Sequence, residues 1–426
     1  MAHISYINTG VKKESDNTFH IPTDESVGAF LFDISGFDKP FEAFPLIYNN
    51  FKDGKMQCVK NMDDALLLGI ENNGFLNGLL YYHLSQFFDF VGGNQEVYVA
   101  LADCSDGWDV IQDMQQQVSG KLFHVGVWTS RYVWRLKEDG SLGFTPLIQN
   151  LQSQADEING RVGVSTHTMV PLHIVLCGNT AGVEGGEVNY KILPDAMELN
   201  CPKVSVALVQ NGSEEIHKMQ KGNPRQAPVT ALGLIMGCLA MCGAEESIAS
   251  TDKGDLNKNE GFNYPEWGVG ENGTPMESVH QIWGNTVSAK GYIIPVSYEA
   301  IEASYFLSSD QTLSDGWFST IANNRVMHKC RRSVGTALVP YINSSQIYNP
   351  GTHNLSATAI ATLTDSINTV LDSAMRNREG KNQIDGRVVT FLTDDDLLET
   401  DAISLKLDVK PVNNSSYISE EVSHDI

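Results

Sequence analysis

Positive charge is what this chain has least of. Its 426 residues carry 29 Lys and Arg against 52 Asp and Glu, a formal net charge of −23 at pH 7. Gripping a phosphate backbone or an anionic membrane takes a clustered basic surface, so neither nucleic acid nor membrane is expected as a partner. The acidity instead implies a soluble, mutually repelling surface, or a basic protein partner. Long apolar runs are also missing. The longest, Val229 to Ala244, falls short of the ~20 residues that a bilayer span requires. Its glycines, Gly233, Gly237 and Gly243, suit close packing, so it reads as a buried helix beginning after Pro228. Met1 to Gly10 has neither a basic stretch nor an apolar one, so no secretory signal is expected there. The cysteines, Cys58, Cys104, Cys177, Cys201, Cys238, Cys242 and Cys330, lack the dense spacing of a secreted disulfide framework. They are expected to be reduced and buried in a chain that folds in a cytoplasm.

Motifs for chemistry are sparse as well. There is no GxxxxGK[ST] phosphate loop, no HExxH, no GxSxG elbow and no GxGxxG between strand and helix. Cys238 and Cys242 stand one helical turn apart, but the helix around them offers no His or carboxylate to complete a metal shell. His3, His20, His83, His124, His167 and His173 are isolated in sequence, and Asp394-Asp395-Asp396 reads as a solvated turn. No catalytic residue, metal ligand or cofactor is assigned.

What is present is an ordinary globular composition, 42% hydrophobic and 19% charged, at a length that suggests two or three domains. The first twenty or so residues are polar apart from the β-prone Ile4-Ser5-Tyr6-Ile7 and read as an arm. From Val27 the patterning predicts alternation: strand 28–34, helix 63–91, strand 96–102, helix 108–118, strand 122–128, helix 147–158, strands 172–177 and 204–209, then the helix from Val229. Leu80, Leu84, Phe87 and Val91 would share one buried face. Such alternation favours an α/β body, of αβα type, around a substantially parallel, mixed sheet. Residues 250–278, rich in Gly, Asn, Asp and Glu, are expected to be an exposed insertion. A helix over 356–376 places Ile360, Leu363, Ile367, Val370 and Ala374 on one stripe, with Asn354 and Ser356 as capping candidates. Strands follow at 387–393 and 402–412, the second alternating Ile403, Leu405, Leu407 and Val409 with polar residues. The expected division is an N-terminal arm (1–22), an α/β main body (23–335), a C-terminal α+β domain (336–412) and a C-terminal arm (413–426).

Three stretches give this order of elements a resemblance. The first is Asp64-Ala65-Leu66-Leu67-Leu68-Gly69, then Leu79 to Phe88, Gly92-Gly93 and Glu96-Val97-Tyr98-Val99-Ala100. The second runs from Ser288-Ala289-Lys290-Gly291-Tyr292-Ile293 through Ser304-Tyr305-Phe306 and Asp310-Gln311-Thr312 to Asn324-Arg325-Val326 and Lys329. The third is the C-terminal helix, the strand from Gly386 and the strand ending at Pro411 before Tyr417-Ile418. Together they resemble, over most of the chain, the contractile tail sheath proteins of myophages, pyocins, extracellular injection systems and type VI secretion. The sheath-like group of Bacteroides-type prophages is the nearest in pattern. The loop after Ser250 and the pair Ser415-Ser416 depart from the family's pattern.

The resemblance implies a structural subunit that polymerises helically around an inner tube and contracts to drive it through a target envelope. Arms of neighbouring copies would add strands to an acceptor sheet. Ile4, Tyr6, Ile7, Tyr417 and Ile418 would be the donated residues, and Val388, Phe391, Ile403, Leu405, Leu407 and Val409 would belong to the acceptor. Arg376, Arg378 and Lys381, at the end of the C-terminal helix, would face the tube, although cations near a helix C-terminus also have a plain structural use. The implied partners are copies of the chain itself, an inner tail tube protein, and baseplate and tail terminator proteins, within a phage tail or injection particle. The competing readings are a cytoplasmic α/β enzyme of hydrolase type, which would need a pocket of convergent titratable groups, and another phage structural protein.

Overall fold

The computed structural model describes residues 25–412 except 36, 38–43, 94, 161–171, 181, 185–192, 222–227, 259–260, 268–273, 276–284, 299–300, 302–303, 342–348, 350–351, 378–379 and 392–404. In chain order come β1 (Gly28–Asp33), α1 (Pro45–Phe51), β2 (Gln57–Val59), α2 (Met62–Leu67), α3 (Phe75–Val91), β3 (Val97–Ala102), α4 (Val110–Gln117) and β4 (His124–Tyr132). Then follow β5 (Trp134–Leu136), β6 (Leu142–Phe144), α5 (Leu147–Gly160), β7 (His173–Asn179), β8 (Val204–Ala207), α6 (Glu214–Lys221) and α7 (Leu232–Met241). After these come the short β9 (Glu266–Trp267), β10 (Thr274–Pro275), α8 (Asn285–Ala289), β11 (Tyr292–Ile293), β12 (Pro295–Val296) and β13 (Phe306–Leu307). The last elements are α9 (Ile321–Leu338), α10 (Ala357–Ala374), β14 (Ile384–Phe391) and β15 (Leu405–Pro411).

Seven strands form one mixed sheet in the order β11-β8-β7-β4-β1-β3-β2. Every neighbouring pair is parallel except β2 with β3. Strands buried on both faces read as continuous apolar runs, and β1 is buried along its whole length. Phe30 and Phe32 point into one core, with residues of α3 and α7, while Ala29 and Leu31 point into the other, with residues of α4 and α5. The result is a three-layer αβα body.

Of the glycines of the Val229 run, Gly233 and Gly237 act as expected, while Gly243 lies past the helix end against Glu245. A Cβ on Gly233 would lie 2.2 Å from the His83 carbonyl oxygen, and one on Gly237 would lie 2.8 Å from the Phe90 ring, so α3 and α7 cross with almost no side chain between them.

Several expectations are corrected. The single helix over 63–91 is two helices, because Gly69 (φ 89°) and Gly74 (φ 63°) take the left-handed region between α2 and α3. The buried stripe of α10 is Ala359, Leu363, Ile367 and Leu371, with Ile360 and Val370 only half-buried, a rotation of the expected face. The segment read as an exposed insertion is anchored in its first part: Leu256 and Phe262 are fully buried, and Lys258 donates to the Phe90 carbonyl. Six cysteines are buried and Cys58, on β2, is exposed; none is in a disulfide. The expected division at 335/336 falls inside α9, which runs unbroken through it.

Candidate assembly surface

α9 carries Arg325, Lys329 and Arg332, cations at helical spacing on one face, all buried. Buried charge is costly unless it is hydrogen-bonded or paired, and here carbonyl oxygens accept from the terminal guanidinium nitrogens of both arginines, while the Arg325 Nε meets no acceptor. Thr320 caps the helix, its hydroxyl accepting the Asn323 N–H. Arg325 donates to the carbonyls of Leu239 (2.9 Å), Cys242 (3.1 Å) and Gly243 (3.1 Å) at the C-terminal end of α7, where the helix dipole favours a cation, and to Glu25 (3.0 Å). Arg332 donates to the Gly120 carbonyl (2.8 Å) and to that of Leu122, and stacks over Phe123 at 3.8 Å. The same helix contributes Val326, Cys330 and Val334 to a separate apolar cluster with α10, β14 and β15. α9 therefore belongs to both cores and joins them.

Lys329 completes the junction. Its ammonium meets the Glu25 carboxylate at 2.9 Å, with both side chains largely out of water. Burial alone would raise the Glu25 pKa, but the charge and hydrogen bond of Lys329 hold it below the usual carboxylate range. Gln383, fully buried, donates to Glu25 (3.2 Å) and to Glu245 (2.6 Å), while its carbonyl accepts the Val412 N–H (3.2 Å). Glu25 and Val412 thus meet on one residue, Glu25 at its side-chain amide and Val412 at its backbone carbonyl. The first and the last residue of the described chain, Glu25 and Val412, therefore lie side by side.

Beside that place lies the β14–β15 hairpin, antiparallel, with Val389 opposite Leu407 and Phe391 opposite Leu405. Phe391, Leu405 and Leu407 are buried and Val409 half-buried against α9 and α10. Val388 stands on the wet face at 59% exposure, apart from the apolar residues it was grouped with. Among the described residues the hairpin has two strands, so the outer edges of β14 and β15 pair with no described strand. Ile403 lies outside the described residues, as do the arm residues Ile4, Tyr6, Ile7, Tyr417 and Ile418.

Over its whole length this arrangement is similar to the sheath complex, in the contracted state, of the extracellular contractile injection system PVC. The TM-score is 0.57 at 12% identity, covering 98% of this chain and 97% of that one. A chain of the anti-feeding prophage (AFP) baseplate matches with TM-score 0.53 at 11% identity, over 98% of each chain. The chain has the contractile sheath fold. The sheath tail protein of Desulfitobacterium hafniense also aligns, over 95% of this chain and 97% of its own, at 10% identity and TM-score 0.44. No family model and no curated protein matches the sequence.

Within the sheath fold the candidate tube cations sit on the turn between α10 and β14. Arg376 donates to the carbonyls of Asp372 (3.1 Å) and Gly380 (3.3 Å), closing the helix end, and the Lys381 carbonyl accepts the Asn377 N–H (2.9 Å). Both side chains are exposed, and Arg378 lies outside the described residues.

A doubly wound sheet places ligands at the carboxyl ends of its strands, near the point where strand order reverses. In this sheath fold that point lies between β1 and β4, and it holds a fully buried carboxylate, Asp33. One Asp33 oxygen accepts the N–H groups of Ser35 (2.9 Å) and Cys104 (3.2 Å). The other accepts the Thr129 hydroxyl (2.7 Å) and faces Arg131 (3.3 Å). With its acceptor sites engaged, Asp33 ties loops together and has no lone pair left over for general-base work. A cavity at the ends of β7 and β8, lined by Thr180, Gln210, Thr230 and Glu266, has a volume of about 10 Å³, room for about one water molecule. Its carboxylate, Glu266, is paired with His217 at 2.7 Å. Among the described residues no three His, Cys, Asp or Glu could share a metal ion, and no helix is long and apolar enough to cross a membrane.

The junction on α9 was the part least visible in sequence. Its only signal is the spacing of Arg325, Lys329 and Arg332, which places three cations on one helical face.

Proposed function

We propose that this chain is the structural subunit of a contractile sheath, polymerising helically around an inner tube and contracting without catalysis of its own. The observation that carries this reading is the fold match to the PVC sheath complex across 98% of the chain, body and C-terminal hairpin alike. The adjacency of Glu25 and Val412, beside a hairpin whose outer edges pair with no described strand, supports it further. An unpaired strand edge is a template for another strand. The segments 4–7 and 417–418, donated by neighbouring copies, would extend the sheet that Phe391, Leu405, Leu407 and Val409 anchor to the body. Each added backbone hydrogen bond contributes ~1 kcal/mol net. Several per arm, with two arms per copy, hold a lattice together through avidity. Contraction is then a rigid-body rearrangement between two lattice packings, with the strand links persisting. Arg376, Arg378 and Lys381 would face an acidic surface on the tube. The partners would be further copies, the tube protein, and baseplate and terminator proteins, in a phage tail or injection particle.

Deleting residues 1–10 tests the reading. The truncated chain should keep its circular dichroism spectrum and thermal midpoint but form no tubes in negative-stain micrographs. Tubes of normal length from the truncated chain would contradict arm donation.

A further inference from the structure

Where α9 meets the αβα body, three histidines are buried among cations. His124 and His173 stand side by side at the first positions of β4 and β7, in register with each other and with Gly28 of β1. A Cβ on Gly28 would lie 2.3 Å from the His124 Nε2, so the bare β1 backbone is what admits that ring. His328 lies on α9 between Arg325 and Arg332, three and four residues away, and so shares their helical face. All three rings are buried, and the Nδ1 of each meets no hydrogen-bond partner. At His173 the tautomer follows from the surroundings. The Ser205 hydroxyl donates its one hydrogen to the Gln311 carbonyl (2.7 Å), so the His173 Nε2, 3.0 Å away, donates to Ser205 and Nδ1 is the bare nitrogen.

The groups acting on these rings are cations or other histidines. Arg325, Arg332 and His173 act on His124, Arg325 acts on His173, and Lys203, Arg331, Arg332 and His173 act on His328. The acids of the region are engaged with other groups: Asp156 with Lys203 at 2.6 Å, and Glu25, Glu245, Glu246 and Asp310 with Arg325. A proton added at any of the three Nδ1 atoms would be a buried charge beside like charges, without an acceptor. The two sides of α9 are also held differently. Val326, Cys330, Val334, Ala337 and Leu338 pack with α10, β14 and β15. Towards the body, Ile321 is the one described residue of α9 in an apolar core, and the rest of the hold comes from Arg325, Lys329 and Arg332. A break on the body side therefore lets α9 leave with its apolar partners intact.

We infer that this seam is an acid-operated release: protons taken up by His124, His173 and His328 separate α9 and the β14–β15 hairpin from the αβα body while both parts stay folded. The release goes beyond the sheath reading and does not rest on it. Once the seam is open, water reaches the rings and they titrate near pH 6.5. The closed seam is thus fully favoured above that pH and loses ground as pH falls. Each ring raises the ratio of open to closed by up to about tenfold per pH unit, so three give a steep response. Between pH 6.5 and pH 5 carboxylates stay ionised, and Glu25, held below their usual range, keeps its pairing with Lys329 out of the titration. Asp310, pushed up by burial and accepting the Ala322 N–H at the start of α9, opposes the opening, because its protonated form favours the closed seam.

The experiment uses the full chain with spin labels at Cys58, the one exposed cysteine, and at Val388→Cys on the wet face of β14. Pulsed electron paramagnetic resonance reads the distance between them from pH 7 to pH 5, in an excess of unlabelled chain so that only distances within one copy count. The expected result is one narrow distance at pH 7 that gives way to a longer or broader one by pH 5, with the circular dichroism spectrum unchanged. The ratio of the two should rise by more than about tenfold per pH unit, which a single ring could not produce. His173→Gln and His328→Gln each remove one titrating ring, and each should make the change shallower by up to about tenfold per pH unit. His83→Gln removes a buried ring on α3, outside the seam, and should leave the change where it is. A distance unchanged down to pH 5, or one that changes only as the circular dichroism signal is lost, overturns the release. So does a His83→Gln chain that responds like the seam variants. If a seam variant fails to fold, the distance and steepness of the parent chain decide alone. These outcomes are separate from arm donation, which deletion of residues 1–10 tests through tube formation.

Discussion

Replacing Lys329 by methionine removes a charge from a place water hardly reaches and leaves Glu25 without its partner. Breaking a buried pair from one side costs about 3–5 kcal/mol, so K329M should lower the urea midpoint accordingly at pH 7. Glu25→Gln with Lys329→Met together should recover part of the loss, because no unpaired charge then remains, and the double-mutant cycle measures the coupling. The buried histidines give a second residue-scale expectation. Burial holds His83 and His173 down to about 3, with Arg325 assisting at His173. Burial likewise lowers His124 and His328 well below 6.5, with neighbouring cations and His173 adding to it. An unfolded chain takes up these protons near pH 6.5, while in the folded chain His83 and His173 resist them until about pH 3 and His124 and His328 resist them well below 6.5. Their contribution is therefore fully present above pH 6.5 and is lost as pH falls, with a slope of up to about 1.4 kcal/mol per pH unit for each group. Urea midpoints measured from pH 7 to pH 4 should decline steadily, and His173→Gln should flatten the decline. A midpoint independent of pH across that range would contradict the burial of these rings. Sequence reading treated His83, His124 and His173 as isolated, because only the fold brings His124 close to Arg325 and Arg332, and His173 close to Arg325.

At the scale of elements, the crossing of α3 over α7 depends on having no side chain at Gly233. Gly233→Ala would press a methyl group against the His83 carbonyl. Overpacking of that kind costs about 1–3 kcal/mol, so thermal unfolding should show a lower midpoint with the same circular dichroism spectrum. The use of these glycines was legible in sequence, because small residues in a wholly apolar helix have few other reasons to be there. The break between α2 and α3 was not, since Leu66, Leu67 and Leu68 prolong the helical apolar spacing up to Gly69. The rotated stripe of α10 has a similar origin. Ile360 and Val370 satisfy helical periodicity, but Ala359 and Leu371 face α9 instead, a choice that the partner helix makes. The strand alternation of β15 was read correctly, because a period of two admits only two faces and one of them is wet.

For the whole molecule, alternation of strand and helix was enough to indicate a mostly parallel sheet between helical layers. The junction was not legible, because Glu25 and Lys329 are 304 residues apart in sequence, and nothing local marks either as the other's partner. The same distance explains its use. One helix, α9, ties the αβα body to the hairpin unit, and the attachment points of both terminal segments are held on it through Glu25 and Gln383. Load arriving along either arm would pass directly into the body, as a lattice of linked rigid subunits requires. The central claim is that arms from neighbouring copies complete the β14–β15 sheet. Cryo-electron microscopy of the assembled full-length chain tests it most directly. The expected map is a helical tube in which the hairpin of each copy gains additional strands, traceable to residues near 4–7 and 417–418 of its neighbours. A solitary particle at high concentration, with both terminal segments folded against their own body, would contradict it.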